Sequence, residues 1–174
     1  RPNALDGDDT FVIPGNHPFA GGIFVLAGEP SASDVVNFNG SGTSPITVNV
    51  QNTVVSPTAP PVTVQQTGFG QVTLSGVEIL NANAGANNAT FLGTAGNDTI
   101  DVSPTGADAV TMKLTNSNPN IGATPVVNFS KVGTTMTVDG GAGSDRGDRR
   151  RRAARAACAG RSASSGPASS PGGR

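Results

Sequence analysis

The feature that most restricts the fold of this chain is a series of short apolar runs separated by turn residues. Most runs begin 9 to 16 residues after the previous one and are bounded by Gly, Pro, Asn or Ser. Such runs, rich in Val, Ile, Thr and Phe, are typical of β-strands. No run has the helical period that a long amphipathic helix requires. We therefore predict an all-β chain with strands at Thr10–Ile13, Ile23–Leu26, Val35–Phe38, Ile46–Val50, Val62–Gln66, Val72–Leu74, Val77–Leu80, Ala89–Leu92, Thr99–Val102, Val110–Leu114, Val126–Phe129 and Thr135–Val138.

The chain also contains an internal repeat. GDDTFVIPG at Gly7–Gly15 resembles GNDTIDVSPTG at Gly96–Gly106, and VVNFNGSGTSPITVN at Val35–Asn49 resembles VVNFSKVGTTMTVD at Val126–Asp139. The two blocks keep their order and recur at offsets of 89 and 91 residues. Residues 1–145 are therefore predicted to form a repetitive all-β region. It would hold about one and a half copies of a unit of ~90 residues, starting near residues 5 and 93.

Two architectures produce such a series of short strands, the β-solenoid and the tandem β-sandwich. A unit of this length has the size of a sandwich. However, the chain has no Trp or Tyr to fill a wide core between two sheets. The calcium-type turns described below suit stacked coils. We predict a right-handed parallel β-solenoid-like region, with tandem β-sandwich modules as the alternative. Side-chain ladders are expected among the asparagines near turns, which are Asn37, Asn39, Asn49, Asn81, Asn83, Asn87 and Asn88.

The net charge of −1 hides two segments of opposite charge. Residues 1–145 carry 11 acidic and 3 basic residues, whereas residues 146–174 carry eight arginines and one aspartate. The second segment consists almost entirely of Arg, Ala, Gly, Ser and Pro, and we expect it to be disordered. We interpret it as the product of a frameshift near Arg146. A basic tail that binds nucleic acid is the rival interpretation, but the tail has no aromatic residue to stack on bases.

Cysteine usage and targeting signals say little about location. The single cysteine, Cys158, cannot form an internal disulfide, and no segment resembles a signal peptide or a membrane span. Because the chain starts with Arg rather than Met, we expect it to be a piece of a longer polypeptide.

Three turns carry the spacing of calcium-binding loops, Gly-Gly-x-Gly-x-Asp followed by an apolar residue. They are GTAGNDTID (Gly93–Asp101), GGAGSD (Gly140–Asp145) and LDGDDTF (Leu5–Phe11). Calcium takes about six to eight oxygen ligands. Glycines let the loop turn tightly, while aspartates supply charge. The candidate metal-binding residues are Asp6, Gly7, Asp9, Gly93, Gly96, Asp98, Asp101, Gly140, Gly141, Gly143 and Asp145.

The same residues also allow an interpretation without metal, as ordinary Gly-Asn-Asp turns. The turn at Ala84–Phe91 has Ala89 where the motif needs aspartate. Glu29 and Asp34 lie in a looser acidic turn, AGEPSASD, which we interpret as a turn rather than a metal site. Asp108 and Asp139 are expected to cap turns.

GTAGNDTID and GGAGSD resemble the hemolysin-type (RTX-like) calcium-binding repeat. Together with GVEIL at Gly76–Leu80, they resemble the long repetitive surface proteins and adhesins of some environmental bacteria. This resemblance implies a secreted or cell-surface protein with a calcium-stabilised β-solenoid. RTX-like sites share each ion between consecutive turns, whereas the full motifs here are isolated. Asp6, Asp8, Asp101 or a carbonyl of a neighbouring coil would have to complete each site, and the dissociation constant would be about 10⁻⁴ to 10⁻³ M.

No catalytic constellation is evident in the sequence. His17, the only histidine, lies between prolines in PGNHPF and is expected to be an exposed loop residue. An activated-serine motif and a zinc-binding set of His or Cys are both missing from the sequence. We expect a non-enzymatic structural or adhesive protein that binds calcium and contacts glycans or neighbouring copies of itself. The alternative is a carbohydrate-binding or carbohydrate-active β-helix module.

Overall fold

The structure is all-β. The computed structural model describes residues 7–27, 33–50, 62–116 and 124–147, and these ranges contain no helix. The strands are β1 (Thr10–Pro14), β2 (Ile23–Leu26), β3 (Val35–Asn39), β4 (Ile46–Asn49), β5 (Val62–Gln66), β6 (Val72–Ser75), β7 (Ile79–Asn83), β8 (Ala89–Leu92), β9 (Asp98–Pro104), β10 (Val110–Asn116), β11 (Val126–Ser130), β12 (Met136–Asp139) and β13 (Arg146–Gly147). A first sheet has the order β1-β3-β7-β11-β10-β9-β13, and a second has the order β12-β8-β4-β5-β6-β2.

The prediction of an all-β chain is confirmed, since each predicted strand overlaps an observed one. The run predicted from Val77 begins instead at Ile79. Gly76 has a φ of 69°, and the amides of Glu78 and Ile79 both donate to the carbonyl of Asp34. The predicted disordered tail begins at Arg146, but Arg146 and Gly147 form β13. The rest of that tail lies outside the described residues.

The core follows the two-residue period of the strands. In β3, for example, Val36 and Phe38 are fully buried, whereas Val35 and Asn37 are half-buried. Because successive side chains on a strand point to opposite faces, one face of each sheet can be apolar while the other stays polar. Buried residues from both sheets belong to a single cluster. Its largest members are the phenylalanines Phe38, Phe91 and Phe129.

We call two strands that follow each other in the chain but lie in different sheets a strand pair. Three strand pairs repeat along the chain: β3–β4, β7–β8 and β11–β12. In the first sheet, Val35, Ile79 and Val126 are register partners across parallel strands. In the second sheet, Ile46 aligns with Ala89, and Ala89 aligns with Met136. The 91-residue repeat seen in the sequence therefore contains an additional copy, β7–β8, between its two ends.

The sheets are mixed rather than wholly parallel. Strands β4, β5 and β6 pair antiparallel in the second sheet, and β9, β10 and β11 pair antiparallel in the first. Strands β2 and β10 follow corresponding segments of the sequence repeat, yet β2 joins the second sheet beside β6 and β10 joins the first. Similar sequence positions are thus used differently at the two ends of the fold.

An asparagine ladder (Asn37, Asn81 and Asn128) joins the first strands of the three pairs. Asn81 Nδ2 donates to Asn37 Oδ1 over 2.8 Å, and Asn128 Nδ2 donates to Asn81 Oδ1 over 2.9 Å. The ladder continues to Thr111, whose hydroxyl donates to Asn128 Oδ1. Because identical amides can pair only when the strands are in register, the ladder favours the observed alignment over a slipped one.

A second polar connection lies inside the protein. The side chain of Gln66 is fully buried. Its Oε1 accepts from the amide of Ser41, and its Nε2 donates to the hydroxyls of Ser41, Thr43 and Ser44. Since buried polar groups are costly unless they are paired, this set of bonds ties β5 to the turn between β3 and β4.

We predict that Asn81→Ala lowers the free energy of unfolding by about 1–3 kcal/mol, because it breaks the ladder at its centre and leaves half-buried amides unpaired. The measurement is chemical denaturation of the full chain. Asn39→Ala is the matched control, since Asn39 is an exposed asparagine on β3, and its effect should stay within about 0.5 kcal/mol. Equal effects of the two substitutions would contradict this role of the ladder.

Candidate functional site: the stacked turns

Two of the three glycine- and aspartate-rich turns lie side by side. The first turn (residues 93–98) follows β8, and the second turn (residues 140–145) follows β12. These two strands pair in parallel. At the start of the turns, the amide of Gly93 donates to the carbonyl of Asp139 over 2.7 Å. The strand pairing therefore continues directly into the turns.

Side chains also join the two turns. The amide of Ser144 donates to Asn97 Oδ1 over 2.8 Å, and the amide of Asp98 donates to Asp145 Oδ1 over 3.1 Å. Both bonds join residues 47 positions apart, which is also the offset between Ala89 and Met136 in the strands. The turns and the strands thus keep one common register.

Two glycines are needed for this close approach. A Cβ on Gly93 would lie 2.5 Å from the carbonyl oxygen of Gly140, a contact that real Cβ atoms do not make. Gly143 has a φ of 131°, a conformation that side chains rarely adopt. These glycines, which the sequence motif assigns to a calcium loop, also allow one turn to pack on the other.

Asp98 fastens the first turn from inside. Its side chain is 1% exposed. Its Oδ2 accepts from the amide of Thr94 over 2.6 Å, and its Oδ1 accepts from the Thr94 hydroxyl over 2.8 Å. The Thr94 hydroxyl in turn accepts from the amide of Gly96. Asp98 therefore has a role in folding that needs no ion.

The other predicted metal-binding residues are distributed over different parts of the fold. Gly141 lies in the second turn, where its amide donates to Asp139 Oδ1. Asp101 is exposed on β9, in register with Lys113 of β10. It takes no part in the hydrogen bonds described above between the two turns. Gly7 and Asp9 precede β1, and the amide of Asp9 donates to Asp34, directly before β3. Asp6 lies outside the described residues.

Asp34 makes the same contact as Asp145, which the sequence analysis did not anticipate. The amide of Asp9 donates to Asp34 Oδ1 over 2.8 Å, just as the amide of Asp98 donates to Asp145 Oδ1. In both cases the strands that follow pair in parallel, β1 with β3 and β9 with β13. The signal in the sequence was an aspartate directly before a strand, because Asp34 precedes Val35.

Carboxylates alone do not assemble a multidentate metal site in the described part of the chain. No three His, Cys, Asp or Glu side chains there lie close enough to hold a metal ion. Asp98 and Asp145 are the two carboxylates that the stacking brings together. A cation beside them would need backbone carbonyl oxygens or water to complete its shell.

The prediction of an exposed His17 is wrong, because His17 is only 4% exposed. The loop between β1 and β2 folds back on the molecule. A Cβ on Gly70 would lie 2.9 Å from His17 Cε1, and the ring of Phe19 is centred 6.1 Å from the imidazole. Within the described part of the chain, both ring nitrogens of His17 lack a hydrogen-bond partner.

Next to this loop, β1 and β2 border an apolar groove of about 670 Å³. The most exposed large apolar side chains among the described residues are Val12, Phe19 and Phe24, and all three line it. None of the described residues that line it is acidic or basic. The residues of the groove are Thr10, Phe11, Val12, Ile13, Phe19, Gly22, Ile23 and Phe24.

Comparisons with known proteins do not identify a relative: no protein family, curated protein or solved structure matches the chain. Within the described ranges, no helix is long and apolar enough to cross a membrane. Function is therefore inferred from the residues and their geometry.

We predict that Asp98→Ala lowers the free energy of unfolding by about 2–3 kcal/mol even in the presence of a chelator, because it leaves the buried donors of Thr94 unpaired. Thermal and chemical unfolding measure this loss. Asp101→Ala serves as the control, since Asp101 is exposed on the strand that follows the same turn. If Asp98→Ala is harmless in chelator, the hydrogen bonds of Asp98 do not fasten the turn.

We also predict that His17→Leu leaves stability unchanged or raises it by up to about 2 kcal/mol, because an apolar side chain removes two buried nitrogens that have no partner. Chemical denaturation at neutral pH gives the comparison. Gln66→Leu provides the contrast, since its buried amide is fully paired and its loss should destabilise the protein. A destabilised His17→Leu protein would show that the imidazole has partners in solution.

Proposed function

We propose that this chain is a non-enzymatic structural or adhesive segment of a large secreted or cell-surface bacterial protein, built of right-handed parallel β-solenoid-like repeats with calcium-binding turns. The observation that carries this proposal is the common register of strands and turns. Strands β8 and β12 and the turns that follow them align at the same 47-residue offset.

Such an arrangement suits a passive, elongated protein. In repeat architectures each unit contacts mainly its neighbours, so that length can be added without a new core. Here the asparagine ladder and the stacked turns both act between neighbouring units. The outer faces of the strands carry mostly Thr, Asn and Gln, for example Thr47 and Thr90, which align across β4 and β8. Polar faces of this kind suit contact with glycans or with neighbouring copies.

Calcium is proposed to bind at the stacked turns. The stacking brings Asp145 to the amide of Asp98 and so places two carboxylates on adjacent turns. Residues 1–145 carry 11 acidic residues against 3 basic ones. Divalent cations would reduce the repulsion among these charges and hold the turns together. The missing third carboxylate limits the expected affinity to the weak range of extracellular calcium modules, about 10⁻⁴ to 10⁻³ M.

One feature favours the carbohydrate-binding alternative. The phenylalanines Phe11, Phe19 and Phe24 line the apolar groove. Aromatic faces can stack on sugar rings. However, the described residues of the lining supply one hydroxyl, that of Thr10, and no carboxylate to bind sugar hydroxyls. The groove therefore supports this alternative less well than the stacked turns support a structural role.

The proposal predicts that about 10 mM CaCl₂ raises the midpoint of thermal unfolding of the full chain. For a dissociation constant near 10⁻³ M, ligand linkage gives about 1.4 kcal/mol per site, or a rise of about 3–6 °C. Differential scanning fluorimetry against a chelator measures the rise, with equal MgCl₂ as the control because Mg²⁺ demands a stricter octahedral geometry. An unchanged midpoint would contradict the calcium part of the proposal.

A further inference from the structure

In the described part of the chain, one buried carboxylate oxygen has no partner. The side chain of Asp34 is fully buried, yet its Oδ2 accepts no hydrogen bond from the described residues. Its other oxygen, Oδ1, accepts from the amide of Asp9. A buried, unpaired oxygen on a charged group is costly, and in native proteins it commonly indicates an ion or water that satisfies it. Asp34 is therefore the strongest candidate for a ligand site outside the stacked turns.

The sequence explains why Asp34 differs from Asp98. The residue four positions before Asp98 is Thr94, which supplies both an amide and a hydroxyl to the carboxylate. The residue four positions before Asp34 is Pro30. Proline has neither an N–H group nor a hydroxyl, so the pair of bonds that satisfies Asp98 has no chemical counterpart here.

Asp34 is the middle member of a row of acidic residues (Asp9, Asp34 and Glu78), each directly before a strand of the first sheet. The amide of Asp34 donates to Glu78 Oε2 over 2.8 Å, so that the Glu78 carboxylate lies beside Asp34. The strands that follow, β1, β3 and β7, are parallel neighbours. The row ends at the next strand, where Pro125 occupies the corresponding position before β11.

No described lysine is placed to neutralise this row. Lys131 follows β11 at the opposite end of the parallel strands, and Lys113 is exposed within β10. Both lie away from the strand starts where the carboxylates are found.

We propose that the unpaired Oδ2 of Asp34 binds a calcium ion at the start of β3, separate from the stacked turns, with the carboxylate of Glu78, which accepts from the Asp34 amide, as the neighbouring acidic group. Carboxylate oxygens are the ligands that Ca²⁺ prefers, and its flexible coordination lets backbone carbonyls and water supply the remaining ligands. That completion is required, because no group of three acidic side chains in the described ranges is close enough to hold a metal. The bound ion would satisfy Asp34 Oδ2 and fasten the first two strand pairs together.

The experiment compares the full chain with Asp34→Asn, an isosteric change that keeps Oδ1 as the acceptor for Asp9 but removes the charge. Unfolding midpoints are measured in chelator and in about 10 mM CaCl₂, roughly ten times the weakest dissociation constant expected for an extracellular calcium module. The variant should lose part or all of the calcium-induced rise. In chelator it should be at least as stable as the parent, because a buried, unpaired charge has been removed.

Asp145→Asn, which changes the second turn, separates this site from the one proposed above. If Asp145→Asn abolishes the rise and Asp34→Asn keeps it in full, calcium binds at the stacked turns alone and the Asp34 site is overturned, while the proposed function stands. If both variants keep the full rise, or the parent shows none, the Asp34 site is likewise overturned. Should Asp34→Asn fail to fold, Glu78→Gln replaces it, since Glu78 is half-buried and its amide oxygen still accepts from Asp34.

Discussion

The structure depends on keeping neighbouring parallel strands in register. Strands of four or five residues have few backbone hydrogen bonds each, so that a slip of one residue would lose a large share of them and turn apolar side chains toward solvent. Val36 and Phe38 are buried only because β3 aligns as it does with β7. The asparagine ladder of the first sheet stabilises this alignment and forms only when the strands are aligned in this way.

Polar side chains stabilise much of this alignment, in a protein whose core has no Trp or Tyr. The asparagine ladder acts across the middle of the strands, and carboxylates act at their starts. Asp34 receives the amide of Asp9, Glu78 receives the amide of Asp34, and Asp145 receives the amide of Asp98. In each case the side chain of one unit satisfies a backbone donor of the preceding one, which links the units without apolar contact.

The glycine- and aspartate-rich motif has a structural role that needs no ion. Its glycines allow two turns to pack closely, and its aspartates accept hydrogen bonds from backbone amides of the turns. Asp98 and Thr94 hold the first turn in shape through their own hydrogen bonds. Asp34 lacks these internal donors, and for that reason a cation has more to contribute there than at Asp98.

The positions of the strands followed from the sequence, because short apolar runs between turn residues leave few other conformations. Most of the repeat was also visible in VVNF and its copy. The copy at Ile79–Asn83 was missed because ILNAN shares only its two asparagines with VVNFN and has alanine in place of the phenylalanine. His17 was misjudged because burial of the loop depends on Gly70, which is distant in the sequence and leaves room for the imidazole ring.

By itself, the sequence determined the all-β class, the strand positions and the spacing of the turns, since these depend on local residue types and on the two-residue period of strands. Only the tertiary structure decided which turns meet, which sheet β2 and β10 join, and which carboxylate is left without a partner. Those outcomes depend on pairing between residues that are distant in the sequence, such as Asp9 with Asp34, Asp98 with Asp145 and Ile23 with Val72. Such pairing follows from the packing of the whole fold rather than from any local pattern.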